Sequence, residues 1–305
     1  MKIFFHIGLH KTASGTLQRQ FFPSCPDLNL LTTQQKHTAE FVRAITRQDP
    51  IYFQAGRARE DLAPHLSDHL VNLVSNESIS GPPYGGLVEH GLDHRDSVLG
   101  NLKSTFPEAS ILIVIRRQDS LARSLYRQYL KRGGTVRIDR FYGLTKGRRP
   151  PLMSLDRFRF FPYLNRLTEL FPSATKVLLF EEFVHQREEF LRQLCNYLQI
   201  GFPTVALRVE NSSRLGPIGM ELSRIMNHMF YGMITKGPLP PVPRKQFGKW
   251  SFVSPIEYLH DYWPGSGRPG RLVQTVCDLI LQEVESDNMQ VDQRFNLGLG
   301  RFGYY

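Results

Sequence analysis

The chain has 305 residues, and its 41% hydrophobic and 22% charged residues are typical of a globular protein. No run approaches the about 18 apolar residues that a membrane helix needs, so the composition excludes a membrane span. The 38 Lys+Arg residues outnumber the 28 Asp+Glu residues, and the net charge of +10 favours an anionic ligand such as a nucleotide, an acidic glycan or nucleic acid. The same charge also serves solubility, so charge alone does not choose among these classes.

The predicted elements alternate between strands and helices. Four short apolar runs are typical of buried parallel strands: Ile3–Leu9, Leu70–Val74, Ile111–Ile115 and Lys176–Phe180. Helical patterns lie between and after them: Leu17–Phe22, Thr38–Arg47, Glu60–His69, Ser120–Arg132, Phe183–Tyr197 and Met220–Phe230. This alternation predicts an α/β fold with three layers, P-loop-like, in which helices flank a central, mainly parallel sheet.

We expect one domain over 1–305, because no stretch reads as a flexible linker and no repeat is visible. Two loop-like basic segments, 133–157 and 236–271, interrupt the alternation, and we interpret them as substrate-facing or lid segments, with plain surface loops as the alternative. Four aromatic residues in these segments either stack on an acceptor ring or cover the core: Phe141, Tyr142, Trp250 and Trp263.

The cysteines and the first residues of the sequence indicate the cellular compartment of the protein. The apolar run at the start is interrupted by His6 and His10 and stops at Lys11, which does not fit a signal peptide. Three cysteines match no disulfide or metal spacing: Cys25, Cys195 and Cys277. We therefore expect a soluble, cytoplasmic protein.

Charged residues follow three of the predicted strands. Lys11 comes after the first, Glu77 after the second, and Arg116 with Arg117 after the third. Because ligands of open parallel sheets bind at the carboxyl ends of the strands, we expect these cations and this carboxylate to meet at one edge. The arrangement predicts an anion site with a base beside it.

The segment after the first strand has the composition of a phosphate-binding loop. Small and hydroxyl residues follow Lys11 before a helix begins: Thr12, Ala13, Ser14, Gly15 and Thr16. Such residues let backbone N–H groups face a phosphate, although an ordinary capped strand–turn–helix would have the same composition. The G-x-x-x-x-G-K-[ST] order is absent, and the third strand ends in Arg-Arg rather than a metal-holding acid, which argues against magnesium-dependent ATP chemistry.

Two segments carry a family resemblance. Phe5–Gln18 resembles the 5′-phosphosulfate-binding segment of the sulfotransferase superfamily, in particular its bacterial and glycan-type branches. The stretch IVIRRQDSLARSLYRQYL resembles the family's 3′-phosphate-binding segment, with Arg116, Ser124 and Tyr126 in the motif positions. Weaker similarity extends over KVLLFEEF, whose Glu181 and Glu182 we interpret as caps of the next helix, and over SDNMQVDQRF near the end.

The resemblance implies an activity. A sulfotransferase moves a sulfuryl group from 3′-phosphoadenylyl sulfate (PAPS) to an acceptor hydroxyl or amine and releases adenosine 3′,5′-bisphosphate (PAP), without a metal. Lys11 and Glu77 are the expected catalytic residues, Glu77 as the base. The expected cosubstrate-binding residues are Lys11, Thr12, Ala13, Ser14, Gly15, Thr16, Leu17, Arg116 and Ser124.

The acceptor is expected to be a glycan or a small metabolite rather than nucleic acid, and the sequence does not determine the oligomeric state. Two alternatives remain: a P-loop-type nucleotide-dependent kinase and a non-catalytic polyanion-binding protein. Glu77 is alternatively a turn cap, and five histidines are rivals for the base: His37, His65, His69, His90 and His94. His-x₃-His pairs suggest a metal only weakly, since no third ligand is suitably spaced.

Overall fold

The structure is a computed structural model that describes residues 2–81, 95–145, 151–204, 216–231, 242–246, 249–253 and 270–305. The chain divides into two compact units. The first comprises Met1–Arg117, Arg159–Val209 and Val284–Tyr305, and the second Gln118–Phe158 and Glu210–Glu283. The expectation of one domain over 1–305 stays a prediction. Within the described residues, no helix is both long and apolar enough to cross a membrane.

The first unit contains a parallel sheet of five strands among the described residues: β1 (Ile3–Gly8), β2 (Leu28–Leu31), β3 (Val71–Ser75), β4 (Ser110–Ile115) and β5 (Thr175–Leu179). Their order is β2-β3-β1-β4-β5, and every pair is parallel. This confirms the predicted α/β class. The sequence did not indicate β2, because it has only four residues and its two central side chains are half-buried.

Helices of the first unit cover both faces of this sheet. Their bounds are α1 (Ser14–Thr16), α2 (Lys36–Arg47), α3 (Ala55–Leu62), α4 (Arg95–Thr105), α7 (Phe160–Leu170), α8 (Phe180–His185), α9 (Arg187–Leu198) and α12 (Glu285–Phe295). Neighbouring residues of β1 show the two faces: Phe4 contacts Tyr197 of α9 at 5.5 Å between ring centroids, and Phe5 contacts Phe41 of α2 at 6.1 Å. Successive strand side chains point to opposite faces, so these contacts establish three layers.

Two predicted helices have different bounds in the structure. The helix predicted over Glu60–His69 is α3, which ends at Leu62 and is followed by a 3₁₀ turn with a proline in its first positions. Proline has no N–H to continue the α-helical ladder. The helix predicted over Phe183–Tyr197 is two helices, α8 and α9, because Gln186 between them has φ −136° and ψ 50°.

The second unit is mainly helical where it is described. It contains α5 (Gln118–Lys131), α6 (Ile138–Phe141), α10 (Pro217–Tyr231), α11 (Arg271–Glu283) and a hairpin of β6 (Val242–Gln246) with β7 (Lys249–Val253). Phe141 and Tyr142 are buried, and the Tyr142 hydroxyl donates to the Ala122 carbonyl at 2.7 Å. They therefore cover the core rather than offering a stacking surface. Trp263 and the side chain of Trp250 lie outside the described residues.

Candidate active site

The strand order places a crevice between the carboxyl ends of β1 and β4. The chain leaves β1 towards the β2 edge and leaves β4 towards β5, so the connections diverge at this point. Such divergence is where open α/β sheets bind ligands. Lys11 follows β1 and Arg116 follows β4, and the Arg116 guanidinium donates a hydrogen bond to the Lys11 carbonyl at 2.8 Å. Residues from two of the three predicted strand ends are therefore in contact.

The loop after β1 has an unusual backbone. Lys11 has φ 69° and Ala13 has φ 65°, both in the left-handed region that residues with a Cβ rarely adopt. Local hydrogen bonds hold the loop in this form. The Thr12 hydroxyl donates to the Leu9 carbonyl at 2.5 Å, and the Leu17 N–H donates to the Ala13 carbonyl at 3.0 Å. Strained backbone of this kind is concentrated at functional sites.

Ser14 and Gly8 pack tightly at the base of this loop. The Ser14 side chain is buried, and its hydroxyl has no hydrogen-bond partner among the described residues. A Cβ on Gly8 would lie 2.3 Å from the Ser14 Oγ and 3.3 Å from the Glu77 Cγ. The loop and the residues after β3 approach each other so closely at Gly8 that a larger side chain does not fit there. A buried hydroxyl without a protein partner calls for a ligand or water acceptor.

The other loop residues that were predicted to bind the cosubstrate differ in which of their groups could contact a phosphate. Gly15 and Thr16 are half-buried in the first helical turn. Thr12 is fully buried and its hydroxyl proton is already donated to Leu9. Leu17 begins a π-helical turn, Leu17–Phe21, and its side chain lies in the core, which leaves its backbone as the part that could face a ligand. Their roles towards a phosphate stay predictions.

Glu77 lies beside the same loop through His10. The His10 Nδ1 is 3.0 Å from the Glu77 Oε2, and the His10 Nε2 is 3.0 Å from the Gly81 carbonyl oxygen. Both partners only accept, so both contacts are hydrogen bonds when both ring nitrogens carry a proton. His10, to which the sequence analysis gave no catalytic or binding role, is thus the link between the loop and the carboxylate. Its position next to Lys11 was the signal for this role.

The electrostatics around Glu77 favour the carboxylate form. Partial burial tends to raise the pKa of Glu77, but the hydrogen bond from His10 and the charges of His10 and Lys11 outweigh it and hold the pKa below its usual value. The side chain remains 34% exposed. The turn cap is Asn76 rather than Glu77, because the Asn76 side chain accepts a hydrogen bond from the Ser78 N–H at 2.7 Å. Glu77 is therefore an ionised, accessible carboxylate.

A second polar group lies below the loop. The His6 Nδ1 is 2.7 Å from the Ser75 Oγ, and the Gln18 Nε2 donates to the same oxygen at 3.0 Å. A hydroxyl has two acceptor positions and one proton, so Ser75 accepts from Gln18 and can still pair with the His6 Nδ1 as either donor or acceptor. Burial is the main reason that the pKa of His6 falls to about 4, against the opposing charge of Glu77. These contacts join the helical turn after the loop to the end of β3.

Arg116 and Ser124, the predicted pair for a 3′-phosphate, belong to different units. The Arg116 guanidinium lies 4.3 Å from the ring centroid of Phe180, in addition to its contact with Lys11. Ser124 is half-buried on α5 in the second unit, so its pairing with Arg116 stays a prediction. Arg117 has a definite contact: its Nη1 donates to the Phe302 carbonyl at 2.9 Å.

The metal ligands and rival bases have other positions. Among the described residues, no group of three or more His, Cys, Asp or Glu side chains has metal-binding geometry. His37 and His65 stack on each other at 3.5 Å. His65 and His69 do not share an α-helix, because α3 ends before them. His90 and His94 lie outside the described residues.

Comparison with known proteins gives results at the level of structure. No family model and none of the curated proteins matches the sequence. A sulfotransferase from Alicyclobacillus acidocaldarius has a TM-score of 0.49 and 16% identity, over 75% of this chain and 93% of its own. Mouse sulfotransferase SULT7A1 complexed with PAP has a TM-score of 0.41 and 12% identity, over 95% and 88%. The sulfotransferase domain from the curacin biosynthetic pathway has a TM-score of 0.40 and 14% identity, over 93% and 97%. All three of these proteins are sulfotransferases.

Proposed function

We propose that this protein is a PAPS-dependent sulfotransferase that transfers a sulfuryl group to a hydroxyl or amine of a small metabolite or a glycan in the cytoplasm. One observation carries the proposal. The loop after β1 has left-handed backbone at Lys11 and Ala13 and a buried, unpartnered Ser14 hydroxyl, and it contacts Arg116 directly and Glu77 through His10. An anion-binding loop, an arginine and a carboxylate base are the groups that sulfuryl transfer needs.

In this proposal the loop and two cations bind the cosubstrate. Backbone N–H groups of residues 12–16 and the Ser14 hydroxyl surround the 5′-phosphate, and Lys11 neutralises the charge that develops on it as the leaving group. Arg116, with Ser124, binds the 3′-phosphate. The contact between Arg116 and the Lys11 carbonyl supports this division, because it couples the two phosphate sites.

Glu77 is the proposed general base. The acceptor oxygen or nitrogen attacks the sulfur, the bond from sulfur to the bridging oxygen of PAPS breaks, and the acceptor proton passes to the Glu77 carboxylate. The reaction is an in-line displacement with little covalent work for the protein, so positioning and charge dominate. The lowered pKa of Glu77 keeps the carboxylate ionised before the acceptor arrives but also makes it a weaker base, so the role rests on its position beside the loop rather than on its pKa.

Two other functions are weaker accounts of the same geometry. A nucleotide-dependent kinase needs carboxylates for magnesium near the phosphates, whereas β4 is followed by Arg116 and Arg117. A non-catalytic polyanion-binding protein needs the net charge of +10 but has no use for strained loop backbone beside a carboxylate. Both remain outcomes of the experiment below.

The test is isothermal titration of PAP into the wild type, Lys11→Ala and Arg116→Ala, with EDTA present. We expect the wild type to bind without metal and each variant to bind about 10- to 100-fold more weakly, because each removes one charge-assisted contact. Arg43→Ala is the matched control, since Arg43 is an exposed arginine on α2. Radiolabelled PAPS with a panel of acceptors then tests transfer, which Glu77→Gln should abolish while PAP binding persists.

The outcomes separate the three functions. Equal weakening by Arg116→Ala and Arg43→Ala indicates non-specific polyanion binding. Binding of ATP with magnesium in preference to PAP indicates a kinase. If the folded wild type does not bind PAP, the proposal is wrong.

A further inference from the structure

The last residues of the chain contact the turn that carries Arg116 and Arg117. The Tyr304 hydroxyl donates to the Glu181 Oε2 at 2.8 Å, and the Glu181 Oε1 accepts the Arg117 backbone N–H at 3.0 Å. The Arg117 side chain returns to the C-terminal segment, where its Nη1 donates to the Phe302 carbonyl at 2.9 Å. These three hydrogen bonds form a closed ring through Arg117, Glu181, Phe302 and Tyr304, which we call the C-terminal clamp.

The clamp has a fixed anchor on its far side. Tyr304 is fully buried, and its carbonyl accepts a hydrogen bond from the buried Asn288 Nδ2 at 2.9 Å. Gly303 has φ 68°, and a Cβ there would lie 3.2 Å from the Arg117 Nη1. The left-handed glycine therefore lets the chain turn so that the Phe302 carbonyl contacts Arg117 and the Tyr304 hydroxyl contacts Glu181. All of these residues belong to the first unit.

The clamp continues the register of two strands. Ile115 at the end of β4 pairs with Leu179 at the end of β5. The next residues interact in the same order: Arg116 lies over the Phe180 ring, and Arg117 donates its N–H to Glu181. Phe180 and Glu181 thus hold the two arginines of the turn, one by its side chain and one by its backbone. Glu181 is not the helix cap that the sequence indicated, because α8 begins at Phe180 with Leu179 as its N-cap and Glu181 lies inside its first turn.

We propose that Glu181 and Tyr304 are positioning residues that fix the Arg116–Arg117 turn so that Arg116 is preset for the 3′-phosphate of the cosubstrate. This rests on the proposed function. Neither residue touches the nucleotide; each acts through Arg117. A preset arginine makes binding of the 3′-phosphate stronger because less conformational freedom is lost when the contact forms.

Charge and positioning predict opposite results for Glu181. Removing a carboxylate next to two arginines makes the site more positive, so electrostatics alone predicts tighter phosphate binding by Glu181→Ala. Positioning predicts weaker binding, because the Arg117 N–H and the Tyr304 hydroxyl both lose their acceptor. Glu181→Gln keeps both contacts, since its amide oxygen accepts from Arg117 and its NH₂ donates to the tyrosine oxygen. Because it removes the charge but keeps the contacts, Glu181→Gln should bind PAP at least as tightly as the wild type.

The experiment removes one hydroxyl and compares two nucleotides. Tyr304→Phe breaks the clamp, and Tyr305→Phe is its matched control, because the neighbouring hydroxyl is bonded to Asp292 instead, at 2.7 Å. Titrations with PAP and with adenosine 5′-phosphate, which lacks the 3′-phosphate, give a selectivity ratio. We expect Tyr304→Phe and Glu181→Ala to lower that ratio by about threefold to tenfold, with adenosine 5′-phosphate binding unchanged.

A second measurement does not depend on the nucleotide. Hydrogen exchange of the Arg117 amide should be faster in Tyr304→Phe than in Tyr305→Phe, because that amide donates to Glu181. An unchanged selectivity ratio in Tyr304→Phe, or tighter PAP binding in Glu181→Ala, would overturn the proposal even if exchange is faster. If the wild type does not bind PAP at all, the proposed function fails; unchanged Arg117 exchange would overturn the clamp separately.

Discussion

The buried histidine of β1 makes stability depend on pH. His6 is fully buried between Ser75 and the Phe22 ring, and its Nε2 has no hydrogen-bond partner among the described residues. Burial lowers the pKa of His6 from 6.5 to about 4. Protonation would place a charge in this buried site, and the negative charge of Glu77 only partly offsets the cost of that burial. The folded state therefore resists protonation that the unfolded chain accepts.

The sign and the size of the effect follow from this difference. Because the pKa of His6 is lower in the folded state, the stability contribution is complete above pH 6.5 and is lost as the pH falls towards 4. At about 1.4 kcal/mol for each pH unit, the full loss is about 3 kcal/mol. Between pH 7 and pH 5 the same linkage relation gives about 2 kcal/mol.

The assay compares wild type with His6→Asn, whose amide can pair with the Ser75 hydroxyl in place of the imidazole but does not titrate. Urea unfolding at pH 7 and pH 5 gives the free energy of unfolding of each protein. We expect the wild type to lose about 2 kcal/mol more than His6→Asn over this range, whatever their difference at pH 7. His69→Asn, at an exposed position, controls for loss of an imidazole. Parallel losses in wild type and His6→Asn would refute the reasoning.

Two further predictions concern the packing of the first unit and the thiols. Gly8→Ala should lower the melting temperature and weaken PAP binding, because its Cβ would lie 2.3 Å from the Ser14 Oγ; Gly56→Ala, with nothing within 4 Å, should do neither. A stable Gly8→Ala protein with wild-type binding would contradict the close packing. Burial raises the pKa of the Cys25 thiol to about 12 and the pKa values of the Cys195 and Cys277 thiols to about 11. Iodoacetamide at pH 8 should therefore label these cysteines only in the unfolded protein, and mass spectrometry would detect the label. Labelling of the native protein would contradict this.

Several strands and helices could be predicted from the sequence, because the spacing of apolar residues along the chain itself determines which side chains an element can bury. The apolar run of β4 is buried along nearly its whole length, and the buried residues of α5 include Leu121, Leu125 and Tyr129, which recur at helical spacing. The predicted helix bounds were wrong where one residue with non-helical backbone interrupts a stretch with a helical pattern, as Gln186 does. Phe141 and Tyr142 were ambiguous because an aromatic side chain in a loop suits a core as well as a ligand, and only packing decides.

The sequence by itself determined the alternation of strands and helices and the charged residues at the strand ends, since both depend on neighbours along the chain. The tertiary structure alone decided which of these residues meet. Arg116 contacts Lys11 across 105 residues, His10 contacts Glu77 across 67, and Tyr304 contacts Glu181 across 123. These pairs follow from the order β2-β3-β1-β4-β5 and from where the C-terminal turn packs. Strand order and packing depend on contacts summed over the whole unit, so no local pattern encodes them.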